Sequence, residues 1–284
     1  MIIVKLSAGL GNQMFQYALG RRLSLDWGDE LLFDSSWFYS TREGETPREL
    51  ELHKFHLLLP EAHPADIEKA KPCTFIKIVK KVKARLDKNV FYRFNKTLLK
   101  KRKYVYLDGY FQSYKYFESI RETLLTDFIL TDGYSDDAYT TKQEIERVGE
   151  SVSIHIRRGD FASTCKTWNG LCSIDYYQKA LATIQKTHPL VTVFIFSDDI
   201  KWAKENLYFD AVPMVFVSRP SLSATEELSL MSLCKHQIIA NSTFSWWAAW
   251  LNKNVEKIVV APSRWLVVSN IDTVDLLPPN WIQI

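Results

Sequence analysis

The second half of this sequence alternates apolar, strand-like runs with helix-like runs, and this alternation limits the possible folds more than any other feature. The predicted strands are 151–157, 191–197, 214–217, 236–240 and 257–260. The helices predicted between and after them are 174–187, 199–206, 224–234 and 243–251. Strands that alternate with helices form βαβ units. The sequence therefore predicts a parallel sheet with helices on both faces.

The first half of the chain begins in the same way. Its predicted strands are 2–6, 30–34 and 104–107. A helix is expected between the first glycine turn and about Trp27, and residues 109–117 are expected to form a loop that enters a helix. Residues 38–103 are expected to be mainly helix and loop.

With 284 residues, the chain is long enough for two domains of ordinary size. The polar stretch 131–150 is the predicted boundary, which gives an N-terminal domain at 1–140 and a C-terminal domain at 141–284. The expected fold class is α/β.

Polar groups of complementary kinds follow three of the predicted strands. His155 and Arg157 alternate with isoleucines and so share one face of their strand. Asp198 and Asp199 end the next strand. Guanidinium groups at the carboxyl end of a strand suit a phosphate or a carboxylate. The alternative is a strand that leaves the core into a solvated basic loop.

The third of these strands leads into an apolar helix through Asn241, Ser242 and Thr243. These residue types cap helix N-termini, and the free amides of a first helical turn bind anions. The carboxyl ends of parallel strands meet at one edge of a sheet. A nucleoside diphosphate would use all three groups there, with base and ribose on carboxylates and phosphates on arginine and amides.

The first turn of the chain matches only part of a dinucleotide-binding fingerprint. Gly9 and Gly11 are present, but Met14 stands where the third glycine is expected, and Asp34 ends the next strand. An NAD-dependent oxidoreductase is therefore a disfavoured alternative. Asn12 and Gln13 open the following helix, where they either cap it or reach a cleft.

The segment 77–103 is strongly basic, with twelve Lys or Arg and one acid, although the whole chain carries a net charge of only +3. Its apolar residues have helical spacing, which fits a solvated surface helix or one that docks on an anionic membrane. Nucleic acid is disfavoured because the remaining chain is acidic. The sequence has neither a secretory signal nor a spanning run of apolar residues, so we expect a cytoplasmic protein, with peripheral contact at the inner membrane face as the functional alternative.

Five motifs, in order along most of the chain, resemble the α-1,2-fucosyltransferases of glycosyltransferase family 11. They are GLGNQMFQYA at 9–18, GYFQSYKYFE at 109–118, HIRRGDF at 155–161, FSDD at 196–199 and NSTFSWW at 241–247. The resemblance implies a GT-B-like fold, with two Rossmann-like domains facing across a cleft. It also implies GDP-β-L-fucose as donor, a terminal β-galactoside as acceptor, inversion to an α-1,2 linkage and a role such as O-antigen biosynthesis.

The resemblance also implies roles for individual residues. The expected catalytic residues are Arg157, which would hold the departing β-phosphate, Asn12, which would face the reaction centre, and Asp160, which would either act as the base or orient the arginines. The expected donor-binding residues are His155, Arg157, Asp198, Asp199, Asn241, Ser242, Thr243, Phe244 and Ser245. The expected acceptor-binding residues are Gln13 and Trp168.

No metal or other cofactor is expected, and GDP-fucose is a co-substrate. The sequence contains neither an Asp-x-Asp motif nor a His/Cys ligand cluster, so arginine must supply the positive charge. Two alternatives remain open. One is a fucosyltransferase of another linkage, α-1,6 or protein O-linked, and the other is a nucleotide- or nucleic-acid-binding module.

Overall fold

The computed structural model describes residues 1–39, 47–71, 93–159, 170–266 and 273–284. The chain forms two compact units. Unit 1 is Met1–Thr131 with Asn270–Pro278, and unit 2 is Asp132–Ser269 with Pro279–Ile284. The C-terminal part of the chain therefore returns to unit 1 before it ends in unit 2.

The predicted boundary between residues 140 and 141 would cut a helix, Asp136–Arg147, that belongs to unit 2. Ser135 caps this helix by accepting a hydrogen bond from the backbone N–H of Ala138. Its buried face consists of Ala138, Thr141 and Ile145, and the rest is polar. So sparse a buried face is typical of a linker in a sequence, and the predicted boundary stretch 131–150 contains both this helix and the start of unit 2 at Asp132.

Unit 1 is built on a three-stranded parallel sheet in the order β2–β1–β3. The strands are β1 Ile2–Lys5, β2 Leu31–Asp34 and β3 Val105–Leu107. The helices are α1 Leu10–Trp27, α2 Pro64–Ala70 and α3 Arg121–Asp127. Two 3₁₀ turns, Tyr114–Tyr116 and Glu118–Ile120, lead into α3, so the predicted loop entering a helix is confirmed. The strand order reverses between β1 and β3, which makes their carboxyl ends the switch point of the sheet.

Helix α1 packs closely on this sheet at Gly20. A Cβ atom at this position would lie 2.5 Å from Cγ2 of Val4 and 2.9 Å from Cδ1 of Leu31. The close helix–strand contact that the fingerprint's third glycine provides elsewhere is thus made two turns later in this chain. The helix ends at Gly28, whose φ of 67° is the left-handed conformation common after helices.

Unit 2 contains a six-stranded parallel sheet in the order β6–β5–β4–β7–β8–β9. The strands are β4 Ser151–Ile156, β5 Thr192–Ser197, β6 Met214–Phe216, β7 His236–Ile238, β8 Val259–Ala261 and β9 Ile282–Gln283. The helices are α4 Asp136–Arg147, α5 Ile174–Gln185, α6 Ile200–Asn206, α7 Ala224–Leu233 and α8 Thr243–Leu251. The predicted strands and helices of this half are confirmed, whereas α4 and β9 were not predicted.

Counted from its own first strand, the sheet of unit 2 has the order 3-2-1-4-5-6 of a Rossmann fold. Its switch point lies between β4 and β7. All six residues of β4 are buried, because helices cover both faces of the sheet. A polar side chain on this strand must therefore be bonded or serve a ligand.

Residues 77–92 of the basic segment lie outside the described residues, and so does the amphipathic helix predicted there. The described remainder contains a 3₁₀ turn at Lys96–Leu99, and its basic side chains are exposed. In the part of the chain that the structure describes, no helix has the length and hydropathy to cross a membrane.

Candidate functional site

Arg157 and Asp198 form an ion pair at the carboxyl edge of the unit 2 sheet. The parallel register pairs Ile156 with Ser197, so the next residue of each strand lies beside the other. Nη1 of Arg157 lies 2.9 Å from Oδ2 of Asp198, and the side chains are only 21% and 25% exposed. Oδ1 of Asp198 also accepts a hydrogen bond of 2.8 Å from the backbone N–H of Arg158. Asp198, which the resemblance assigned to the nucleoside, thus also orients Arg157.

Arg158 is held separately from Arg157. Its Nε lies 3.5 Å from Oδ2 of Asp199, and its guanidinium lies 3.8 Å from the ring centre of Trp202. Asp199 also caps α6 by accepting a hydrogen bond from the backbone N–H of Trp202. A Cβ at Gly159 would lie 2.7 Å from Oδ2 of Asp198, so a side chain there would displace the Arg157–Asp198 pair.

His155 is a buried, neutral ring beside these charges. It is 4% exposed, and burial together with the positive charge of Arg157 lowers its pKa to about 3. Its Nδ1 atom has no hydrogen-bond partner among the described residues, and its ring lies 5.4 Å from that of Phe244. Because buried ring nitrogens are normally bonded, Nδ1 is a candidate ligand contact. A histidine with this pKa does not serve as a proton carrier at neutral pH.

The N-terminus of α8 lies at the end of β7, on the other side of the switch point. Ser242 is its N-cap and accepts a hydrogen bond from the backbone N–H of Phe244. Thr243 and Phe244 are partly exposed. The first-turn amides and the helix dipole favour an anion here.

Two predicted donor-binding residues on this segment make internal hydrogen bonds. Ser245 is fully buried, and its hydroxyl lies 3.4 Å from the carbonyl oxygen of Ala240. Nδ2 of Asn241 donates to the carbonyl oxygen of Trp265 at 3.1 Å. Both side chains hold the loops around α8, and their assignment to the donor stays a prediction.

Gln13, which the resemblance assigned to the acceptor, is fully buried in unit 1. Its Nε2 donates to the carbonyl oxygens of Ala8 at 2.9 Å and Glu49 at 2.8 Å. Its Oε1 accepts a 3.0 Å hydrogen bond from the backbone N–H of Glu51. An amide with both N–H groups and its oxygen engaged in this way holds the surrounding backbone, and its assignment to the acceptor stays a prediction.

Asn12, by contrast, is partly exposed at the start of α1. Its Oδ1 accepts a 2.7 Å hydrogen bond from Nε2 of Gln112, which follows β3. Sequence reasoning used the motif that contains Gln112 but gave this residue no role. The buried Asp34 accepts hydrogen bonds from the backbone N–H of Ser36 and the hydroxyl of Tyr106, so it is already engaged and poorly suited to read a ribose.

Asp160 and Trp168 lie within 160–169, outside the described residues. Their assigned roles therefore stay predictions.

One group of potential metal ligands occurs among the described residues, formed by Glu150, His188 and His236. Nδ1 of His236 accepts a hydrogen bond from the backbone N–H of Ile258. In the neutral ring Nε2 then carries the proton and donates to Glu150, at 3.1 Å, so it has no lone pair for a metal. Lys235 also pairs with Glu150. This cluster lies at the amino ends of β4 and β7, the edge opposite Arg157, and we interpret it as structural.

Comparison with known proteins identifies the class to which this fold and site belong. The fold resembles a crystal structure of fucosyltransferase NodZ from Bradyrhizobium, with a TM-score of 0.51 and 15% identity over 87% of this chain and 92% of that one. This likeness shows the fold alone. The predicted GT-B-like α/β fold class is confirmed.

The sequence relatives are more specific. An O-antigen biosynthesis glycosyltransferase of Escherichia coli, WbnK, is 32% identical over 98% of this chain and 99% of its own length. An α-1,2-colitosyltransferase of the same species is 28% identical over 100% and 99%. A galactoside 2-α-L-fucosyltransferase of Bos taurus is 30% identical over 52% of this chain and 42% of its own.

The family model for glycosyl transferase family 11 matches residues 76–284. The chain belongs to glycosyl transferase family 11, and it is a glycosyltransferase.

Proposed function

We propose that the protein transfers L-fucose from GDP-β-L-fucose to the 2-hydroxyl of a terminal β-galactoside, with inversion, and forms an α-1,2 linkage. The observation that carries this proposal is the Arg157–Asp198 pair beside the N-terminus of α8, at the switch point of a sheet in Rossmann order. The linkage is supported by the α-1,2 specificity in the names of relatives from bacteria and mammals.

In this mechanism, Arg157 and the α8 amides stabilise the leaving diphosphate. Negative charge develops on the β-phosphate as the bond to the sugar breaks. Fixed cations and dipoles aimed at that charge lower the barrier without reorganising during the reaction. Asp198 contributes by holding the guanidinium in one orientation before the donor binds.

The nucleoside contacts come from groups around the same edge. Nδ1 of His155 offers a buried hydrogen-bonding atom, and Phe244 offers a partly exposed ring next to it. The carboxylate of Asp199 supplies an acceptor for a guanine or ribose donor. The attacking hydroxyl approaches from the face opposite GDP, and Asp160, the carboxylate of the HIRRGDF motif, would either take its proton or orient the arginines.

Incubation of the purified protein with GDP-fucose and a β-galactoside tests the proposal. Two-dimensional NMR of the product should show fucose attached α-1,2 to galactose. An α-1,6 or other linkage would reject the acceptor position while keeping fucosyl transfer. If none of several β-galactosides is fucosylated and GDP does not bind, the proposal fails as a whole.

A second candidate, α-1,2 transfer of colitose, is favoured by the full-length colitosyltransferase relative. Colitose lacks the 3-hydroxyl of fucose. A site that hydrogen-bonds this hydroxyl rejects the deoxy sugar strongly, whereas a site that leaves it in water discriminates weakly. Initial rates with GDP-fucose and with GDP-colitose at equal concentration decide between the candidates, and we expect the fucose donor to be preferred.

The acceptor we favour is a bacterial surface glycan under assembly at the membrane, as the O-antigen relative suggests. The segment 77–103 would then hold the enzyme in the cytoplasm against the anionic membrane face. Each exposed Lys or Arg near such a surface contributes about 1 kcal/mol. Lys96, Lys100 and Lys103 are exposed, and their replacement by Gln should reduce binding to anionic vesicles but not transfer to a free oligosaccharide. A wild-type protein that ignores such vesicles at low salt would contradict membrane docking.

A further inference from the structure

The switch point of unit 1 contains a pair of amides, Asn12 and Gln112, and the family resemblance gives a role only to Asn12. Gln112 follows β3 and is 8% exposed, and its Nε2 donates to Oδ1 of Asn12 in the helix that follows the neighbouring strand β1. At 2.7 Å this is a short hydrogen bond between side chains 100 residues apart in sequence. Such a bond fixes the orientation of both amides.

The loop that carries Gln112 is itself held in place. Phe111 has a φ of 53°, a left-handed conformation that costs a non-glycine residue energy and persists where its surroundings enforce it. The Phe111 ring lies over Gly109, where a Cβ would approach it to 3.2 Å. Nε2 of Gln16 donates to the carbonyl oxygen of Gly109 and ties this loop to α1. Next along the chain, the buried hydroxyl of Ser113 has no partner among the described residues.

The other amides near the start of α1 are already engaged. Gln13 and Gln16 are fully buried, and their amide groups bond to neighbouring loops. Asn12 is partly exposed, and the bond from Gln112 holds its oxygen toward Gln112. In this orientation Asn12 offers a ligand its NH₂ group, a neutral hydrogen-bond donor.

We propose that Gln112 is a positioning residue, which orients Asn12 so that its NH₂ group donates to an oxygen atom of the bound sugar. This inference rests on the proposed function and deepens it. Asn12 then cannot accept the proton of the attacking hydroxyl, and its role is to hold and polarise a sugar oxygen. Gln112 acts through its hydrogen bond to Asn12 and takes part in no bond-making step.

A double-mutant cycle tests the inference. Gln112→Met keeps the size of the side chain but cannot donate, and kcat should fall roughly 10- to 100-fold because a misplaced group loses much of its effect. The KM for GDP-fucose should not change. In an Asn12→Ala background, the same substitution should cost less than about twofold, since the group that it orients is gone. The control Gln178→Met, at an exposed position of α5, should leave activity unchanged.

Gln112→Glu gives a readout that a merely structural residue would not produce. The ionised carboxylate has no N–H, so Asn12 must turn its NH₂ inward and present its oxygen to the sugar. Activity should be low at neutral pH and recover partly, relative to wild type, as pH falls toward 5 and the carboxyl gains a proton. Additive losses in the cycle, or equal losses at every pH, would overturn the inference, and thermal denaturation would identify a variant that fails to fold.

The NMR signal of the Asn12 side-chain amide tests the inference without measuring activity. The signal is assigned by its absence from the spectrum of Asn12→Ala. It should shift in Gln112→Met and stay in place in Gln178→Met. A wild-type enzyme that transfers neither fucose nor colitose would contradict the proposed function. An Asn12 signal that does not shift in Gln112→Met would contradict the role of Gln112.

Discussion

Both units place a switch point at the carboxyl ends of parallel strands, but the side chains around the two switch points differ in chemistry. In unit 2, the residues after β4 and β5 are arginines paired with aspartates, and the residues after β7 begin a helix. In unit 1, Lys5 at the end of β1 pairs with Asp108 after β3, and the segments beyond them bring two neutral amides together, with Asn12 bonded to Gln112. Charge with a helix dipole suits a diphosphate, whereas amides suit the hydroxyl and ether oxygens of a sugar. The contrast teaches that one sheet topology can serve two ligands when the residues after the strands differ.

Removing the central cation of unit 2 should have the largest effect. Arg157→Ala should cost roughly 3–4 kcal/mol of transition-state stabilisation and lower turnover accordingly, because the fixed cation that neutralises the leaving phosphate is removed. Arg157→Lys should recover little, since an ammonium does not reproduce the planar fork. Steady-state kinetics check both variants, with the exposed Arg147→Ala as control. A folded Arg157→Ala enzyme with normal turnover would contradict the assignment of Arg157 to the leaving phosphate.

Asp198→Asn should cost less, because it weakens the hold on Arg157 but keeps the cation. We expect kcat/KM to fall by the equivalent of roughly 1–3 kcal/mol. This is less than for a fully buried ion pair, because both side chains keep some exposure to solvent. The affinity for GDP should fall together with turnover, since the guanidinium loses its orientation. Asp199→Asn, which releases Arg158, is the matched variant and should have the smaller effect. Equal effects of the two substitutions would mean that Asp198 does not orient Arg157 specifically.

The charged site of unit 2 should also leave a signature in the pH dependence of stability. Burial raises the pKa of Glu227 to about 7, opposed by a hydrogen bond from Ser218 and reinforced by the charge of Asp198. Unfolded glutamate ionises near pH 4.5, so folding is penalised increasingly as pH rises from 4.5 to 7. Glu227→Gln should therefore gain roughly 3 kcal/mol of unfolding free energy relative to wild type across this window.

The adjacent Glu226 provides a control of opposite sign. Burial acts to raise its pKa, but hydrogen bonds from Ser135 and Ser223 outweigh it and lower the pKa to about 2. Its contribution to stability is present above pH 4.5 and is lost as pH falls toward 2. Glu226→Gln should thus be less stable than wild type at neutral pH. Urea denaturation at several pH values measures the unfolding free energy of both variants. A difference between Glu227→Gln and wild type that does not change with pH would contradict the raised pKa of Glu227.

The smallest expected effect is that of a chelator. Arginine and helix amides supply the positive charge in unit 2, and the sequence has no Asp-x-Asp motif. Initial rates should therefore stay within about twofold when EDTA is added, unlike those of enzymes whose metal holds the leaving phosphate. Loss of activity on chelation, with recovery on addition of Mg²⁺ or Mn²⁺, would show that arginine and the helix amides do not stabilise the leaving phosphate without a metal ion.

The sequence predicted the sheet of unit 2 because buried parallel strands are continuous apolar runs, as in Val193–Phe196, and helices separate them regularly. It also predicted that cations, carboxylates and a helix N-terminus would meet at one edge. It did not predict which groups pair. The Arg157–Asp198 contact depends on the register of β4 against β5, which no local pattern contains.

Gln13 shows the same limit in unit 1. Its hydrogen-bond partners Glu49 and Glu51 lie 36 and 38 residues away, in a region where the sequence predicted only helix and loop. Without these partners, a polar residue at the start of a helix looks available to a ligand. No sequence pattern indicates the role of Gln112 either, because its partner Asn12 lies 100 residues away.

Calorimetric titration of GDP into three proteins tests the division between the two switch points most directly. Wild type and Asn12→Ala should bind GDP with the same affinity, while Arg157→Ala should bind it far more weakly, because the diphosphate contacts the charged edge of unit 2. Undiminished binding by Arg157→Ala, or equal weakening by Asn12→Ala, would contradict the assignment of the diphosphate to unit 2.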